Sequence, residues 1–193
     1  MAQSDWDFSA AQGVGWEIDT TTYISSPSCL RALASTQVVL AKKVGCTNLP
    51  QGQVVSWCRA ESLTHFLGIF FRNQAAVGLA NYTDTYWMER ALNGNSAACI
   101  ARRFESGSQK WSASFGPLTA LSISTWYKFR LTWWIDWGSL RIRLERWNGS
   151  AWVQEGSDCI DATNKWSVSA INRPGLYLGY SDTRHDDTEI WGV

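Results

Sequence analysis

The chain has 193 residues, with 17 basic side chains balanced by 17 acidic ones for a formal net charge of zero at pH 7. That length supports one well-buried core, and the neutral balance provides no global field that would draw the chain to nucleic acid or anionic lipid. Thirteen tryptophans stand out, because each couples a large apolar surface to one N–H donor that needs a partner when buried.

No repeat, charge block or low-complexity linker divides the sequence, so a single domain spanning 1–193 is expected. No stretch approaches the roughly 18 apolar residues of a spanning helix, and membrane insertion is not expected. The start MAQSDWDF has neither a basic leader nor an apolar run, which implies synthesis in the cytoplasm without a visible signal peptide.

Two short strand candidates, DWDF and GWEID, open the chain. Within the second, Glu17 and Asp19 project two carboxylates onto one strand face, the residue types a glycosidase uses as acid/base and nucleophile, but Thr20, Thr21 and Thr22 follow without a further carboxylate. A solvated edge is the plainer reading, and no catalytic residue is assigned. CLRALA comes next, carrying Cys29; a bridge to Cys46 is open but unsupported by spacing. VVSWCR, FLGIFFRN, AVGLANY, YWMERAL and AACIARRF follow as strand candidates, with Cys58 and Cys99 read as small reduced core residues. Asn93-Gly94 has the chemistry of a tight hairpin turn. Tyr82, Tyr86 and Trp87 stand on these strands, where they extend a glycan or partner surface, with Trp87 equally suited to the core, and His65 reads as a strand-end or core histidine.

The clearest hairpin is WYKFRLTWWI, the loop Asp136 to Ser139, and SLRIRLERW. Tyr127, Phe129, Leu131, Trp133 and Ile135 alternate with Lys128, Arg130, Thr132 and Trp134, the period of two that a half-buried strand requires. Joining Ile135 to Leu140 sets Trp134 opposite Arg141, Thr132 opposite Arg143, Arg130 opposite Glu145 and Lys128 opposite Trp147. That register predicts one salt bridge and two cation–π pairs, Trp134 with Arg141 and Lys128 with Trp147, on one face. A one-residue slip would bury the charges, so the register is strongly specified. Asn148-Gly149 turns the chain into AWVQE, and GLYLGY and TEIWGV close it, with His185 in a polar loop between them.

A dozen short strands without helical periodicity imply an all-β, antiparallel two-sheet sandwich. The feature order, DWDFSAAQGVGWEID, SSPSCLRALA, WYKFRLTWW, LRIRLERWNGSAW and RPGLYLGYSDTRHDDTEIW, resembles the concanavalin A-like lectin/glucanase jelly roll over nearly the whole chain. The resemblance implies adjacent N- and C-terminal strands, with Trp6 to Phe8 near Glu189 to Trp191. It also implies a structural calcium near the joined termini, for which SDTRHDDTE offers Asp182, Asp186, Asp187 and Glu189, completed by Asp7, Glu17 or Asp19; an ordinary acidic turn is the alternative, and no other cofactor is implied. The related lyases carry a Gln-x-His strand motif that is missing here, as is the Gly-x-Ser-x-Gly elbow of a hydrolase.

The candidate binding surface is therefore Trp134, Arg141, Arg143, Glu145 and Trp147, extended by Trp87, since sugars stack on aromatic rings while charged groups hold their hydroxyls. The same residue types mark protein interfaces, and a solvated outer face uses them too. These features suit a non-enzymatic, lectin-like decoration, tail or fibre protein of a phage- or virus-like particle, partnered by neighbouring subunits, by carbohydrate, or by both. The alternatives are a carbohydrate-binding module of a secreted enzyme and, less well supported, a glycosidase.

Overall fold

The alternation along the central hairpin is realised in the computed structural model, which describes residues 6–8, 15–24, 28–33, 38–42, 48–63, 66–74, 83–93, 99–167, 171–178 and 182–192. Among them the strands are β1 (Trp6–Phe8), β2 (Trp16–Asp19), β3 (Cys29–Ala32), β4 (Val38–Lys42), β5 (Gly52–Arg59), β6 (Phe66–Asn73), β7 (Thr85–Ala91) and β8 (Cys99–Glu105). The second half of the chain adds β9 (Ser108–Ser114), β10 (Tyr127–Asp136), β11 (Ser139–Trp147), β12 (Trp152–Gln154), β13 (Cys159–Asp161), β14 (Arg173–Leu178) and β15 (Arg184–Gly192). They form a seven-stranded sheet, β1-β4-β14-β6-β7-β8-β9, and an eight-stranded sheet, β12-β11-β10-β5-β15-β3-β2, with β13 paired to β11. Every strand pairing within them is antiparallel.

The two sheets stack because each keeps one apolar face. Leu131 and Trp133 of β10 and Leu140, Ile142 and Leu144 of β11 meet Leu67, Ile69 and Phe71 of β6 and Tyr86 and Met88 of β7 in one buried cluster. Trp133 stacks on Phe71 across the interface, with ring centroids 4.9 Å apart. Burying side chains of this size contributes about 1.5–3 kcal/mol each. Gly52 is required where β5 passes Trp133, since an added Cβ would stand 2.6 Å from the Trp191 carbonyl oxygen and 2.9 Å from the Trp133 ring. Four buried arginines are paired with carboxylates, Arg90 with Glu155, Arg103 with Asp161, Arg173 with Asp7, and Arg184 with Asp19, while the buried Arg72 donates to Asn164 Oδ1 and to the Pro50 and Lys165 carbonyls. Unpaired, each would cost several kcal/mol.

The N-terminal segment meets the last strand through β2. Asp19 accepts from Arg184 Nε at 2.8 Å, and β3 alone separates β2 from β15. Trp6–Phe8, expected beside Glu189–Trp191, pairs instead with β4 in the opposite sheet.

The central hairpin turns through two residues, not four: Asp136 pairs with Ser139, while Trp137 (φ 49) and Gly138 (φ 80) have the positive angles of a primed turn. The Asn148 carboxamide accepts from the Ser150 and Ala151 N–H groups, each at 2.9 Å, in the turn expected of it. Gly94, His65, Cys46 and the AVGLANY stretch lie outside the described residues. Cys29 is free, so the bridge to Cys46 is not formed, and Cys58 and Cys99 are free and buried as expected.

Candidate functional site

In an antiparallel sheet the register decides which side chains stand side by side on a face. On the outer face of the eight-stranded sheet, Ile160, Arg141 and Trp134 form one row across β13, β11 and β10. Arg143, Thr132, Gln53 and Trp191 form the next, across β11, β10, β5 and β15. Glu145, Arg130, Val55 and Glu189 form a third, and Lys128 and Trp57 belong to a fourth. Alternation puts most apolar residues of these strands inside, so the outer rows carry mainly polar, charged and aromatic groups, with Val55 and Ile160 as the aliphatic members.

Gln53, Arg130, Thr132, Trp134, Arg143 and Glu145 surround a depression of about 370 Å³, within the range of small-molecule sites. Thr132 and Gln53 lie side by side across β10 and β5. Arg143 covers Trp134, its guanidinium carbon 5.1 Å from the ring centroid, and is clamped by both oxygens of Asp158 at 2.8 Å. Donating these hydrogen bonds to Asp158 raises the Arg143 pKa. Arg130 forms the matching fork on Glu145, at 2.7 and 2.8 Å, beneath the Trp152 ring at 4.5 Å. The site is thus a set of guanidinium–carboxylate forks capped by indoles, an arrangement that fixes long side chains before any ligand arrives.

Of the residues the sequence assigns, Trp134, Arg143 and Glu145 line the depression, and Arg141 stands directly beside it. The predicted salt bridge is formed, but both cation–π pairs are redistributed. Arg141 turns to Asp136, with Nε 2.5 Å from Oδ2, leaving Trp134 to the diagonal neighbour Arg143. Lys128 lies over Trp57 of β5, and Trp147 packs edge-on against Trp152 at 5.5 Å, at the margin of the face. Gln53, Trp152 and Trp191 are the members that sequence reasoning left out; Gln53 falls one residue before the predicted start of its strand, although it shares the parity of Trp57.

Trp87 belongs elsewhere. It is 5% exposed on the outer side of the seven-stranded sheet, stacked on Tyr177 at 5.1 Å and close to Phe70 and Phe104. Tyr86 points the other way, into the core, where its hydroxyl donates to Asp161 at 2.7 Å. Neither extends the Trp134 surface, because they stand on the other sheet.

The calcium trio does not fit a cation site. Asp182 is capped by Arg31, whose Nε donates at 2.8 Å. Asp186, buried in β15, accepts the Ile24 and Asp187 N–H groups on its two oxygens, and Asp187 is itself exposed. Among the described residues no group of three or more His, Cys, Asp or Glu side chains converges as a metal site. The polar stretch read as a loop is largely strand, since the charges of SDTRHDD find partners: Arg184 pairs with Asp19 and Glu61. His185 is accordingly a buried strand residue, its Nδ1 3.1 Å from Ser56 Oγ, and burial pushes its pKa down to about 4, outweighing the opposing effect of the Tyr177 backbone. Glu17 pairs with Arg31 on the edge strand, while Asp19, expected to be solvated, is buried and holds the Thr21 hydroxyl and N–H.

No family model and no curated protein matches the sequence. Solved structures do match by shape. The Emp46p carbohydrate recognition domain is 11% identical, with a TM-score of 0.57 over 98% of this chain and 89% of that one. The exoplasmic/lumenal domain of VIP36 in its Ca2+/Man-bound form is 9% identical, with a TM-score of 0.52 over 99% and 91%. Winged bean acidic lectin complexed with methyl-α-D-galactose is 6% identical, with a TM-score of 0.53 over 96% of each chain. Emp46p is also known in a metal-free and a potassium-bound form. At these identities the likeness establishes the fold: the chain is an antiparallel sandwich of the concanavalin A-like, lectin-type jelly roll.

Proposed function

We propose that this chain is a non-enzymatic, lectin-like protein that contacts carbohydrate through the outer face of its eight-stranded sheet. The observation that carries the reading is the depression in which Trp134 meets two pre-arranged guanidinium forks above Thr132 and Gln53. Sugar rings stack their C–H faces on indole, and their hydroxyls accept from guanidinium and donate to carboxylate and amide oxygens. The likeness to carbohydrate-binding sandwiches supports the same reading. Catalysis is disfavoured because Glu145, Asp158 and Asp136 are each committed to an arginine, whereas a glycosidase needs one carboxyl group able to give up a proton.

As its setting we favour attachment or decoration of a phage- or virus-like particle. The neutral charge, the fully exposed Trp137 and the exposed edge strand β9 suit a module that holds neighbouring subunits while touching glycans. A carbohydrate-binding module of a secreted enzyme would use the same face.

A glycan array tests the reading. Binding that disappears in Trp134→Ala, with the fold retained by circular dichroism, is the expected outcome, and a blank array for the parent protein overturns it. Electron microscopy of the native assembly separates the two settings, since only the first places the chain on a particle.

A further inference from the structure

We infer that the sugar held by this face is acidic, carrying a carboxylate on its ring as a uronic acid does. The inference rests on the carbohydrate reading above and adds the charge of the ligand.

Two of the three ion pairs of the face are layered, while Arg141 and Asp136 are equally exposed, at 33% each. The Arg143 side chain is 38% exposed against 15% for its partner Asp158, and Arg130 is 26% exposed against 14% for Glu145. The carboxylates lie low, and the guanidinium groups stand above them. A pair that is neutral in sum therefore presents its cationic half to whatever approaches.

Those cations also hold donors in reserve. Arg130 and Arg143 spend Nε and Nη2 on their carboxylates, and among the described residues Nη1 of each has no hydrogen-bond partner. Arg141 spends Nε on Asp136, leaving both terminal nitrogens. Arg141 and Arg143 are two positions apart on one strand, and Arg130 is diagonal to Arg143 across the ladder, so all three border the space beside Trp134. Glu189 is separated from Arg130 by Val55 in the same row.

A neutral sugar needs only neutral donors. Three arginines with spare, outward N–H groups around one stacking ring are complementary to a carboxylate, which guanidinium binds through charge-assisted and often paired hydrogen bonds. A ring stacked on Trp134 places an equatorial carboxylate within reach of Arg141 or Arg143.

The experiment titrates the full chain with galacturonate, glucuronate and mannuronate oligosaccharides and with the methyl ester of each, which keeps the ring and removes the charge. At least one acid should bind about tenfold or more tightly than its ester, with the gap narrowing as sodium chloride is raised. Arg141→Gln, alone and combined with Arg143→Gln, should close the gap, while Trp134→Ala weakens acid and ester alike; the single variant guards against loss of fold in the double. Equal binding of acid and ester, still dependent on Trp134, overturns this inference and leaves the carbohydrate reading standing, as does a gap that survives both arginine substitutions. Failure of every acid, ester and neutral glycan to bind overturns both.

Discussion

Arg143 lies over Trp134, 5.1 Å from guanidinium carbon to ring centroid, although the residue directly opposite Trp134 in the ladder is Arg141. The diagonal contact forms because Asp136, at the end of the same strand, draws Arg141 towards the turn, while Asp158 fixes Arg143 from the other side. A double-mutant cycle should therefore find about 0.5–1 kcal/mol of coupling between Trp134 and Arg143 and none beyond error between Trp134 and Arg141. Urea denaturation of the single and double alanine variants measures both; the reverse ranking would show that the direct pair operates in solution.

Trp137 occupies the first position of the primed turn at φ 49 while 98% exposed. A bulky residue there is strained and gains no burial in return. Trp137→Asn should raise stability by about 0.5–1 kcal/mol, read as an increase in Tm. The turn itself stays in place, because Asn164 Nδ2 donates to the Gly138 carbonyl at 3.0 Å while its Oδ1 accepts from the buried Arg72. A fall in Tm would mean that the indole is engaged by this chain after all.

Glu155 joins two arginines: Arg90, fully buried, at 2.8 Å, and Arg146 at 2.7 Å. Glu155→Ala leaves the Arg90 charge in the interior without a carboxylate, and the expected loss is about 3–5 kcal/mol. By contrast Arg141→Ala, which removes a half-exposed pair with Asp136, should cost no more than about 1 kcal/mol. Chemical denaturation that ranked the two alike would contradict the burial argument.

Stability should fall on acidification in two steps. Burial holds the His185 pKa near 4, below its unfolded value of 6.5, so between those values the unfolded chain binds a proton that the folded chain refuses. Stability is therefore fully present above pH 6.5 and declines by about 3 kcal/mol as pH falls to 4. His185→Gln should flatten that window. The Asp19 carboxylate acts lower: burial alone would raise its pKa, but hydrogen bonds from Thr21 and Arg184 outweigh burial and hold it well below 3.8. Its contribution is lost only as pH falls beneath that value. Denaturation midpoints across pH 7 to 3 separate the steps, and a His185→Gln profile that still declined steeply above pH 4 would assign the first step to other groups.

What was legible in the sequence follows from where alternation is strict. Residues 127–147 read correctly as a hairpin, and three of their four outer pairs were set by register alone. β9 escaped notice because SQKWSAS is a serine-rich edge strand with little burial on either face; its signal was Ser106-Gly107, both at positive φ in the turn from β8. The start of β15 was hidden because its buried residues include the charged Arg184 and Asp186, and Arg184 is satisfied by Asp19 and Glu61, partners distant in sequence. The site was half legible. Parity along one hairpin places Trp134, Arg143 and Glu145 on a common face, but Gln53 and Trp191 join them through strands β5 and β15, whose order in the sheet no local pattern encodes. Trp87 illustrates the same limit, since its strand read well while its sheet and its face did not.

The most direct test of the account follows the tryptophan indole N–H resonances by two-dimensional NMR, assigned by Trp→Phe substitution, as a glycan selected on the array is added. The account predicts that the Trp134 resonance shifts in a saturable manner together with arginine side-chain N–H signals, while that of Trp87 stays in place. Movement of Trp87 with Trp134 unchanged would assign recognition to the seven-stranded sheet and contradict the account.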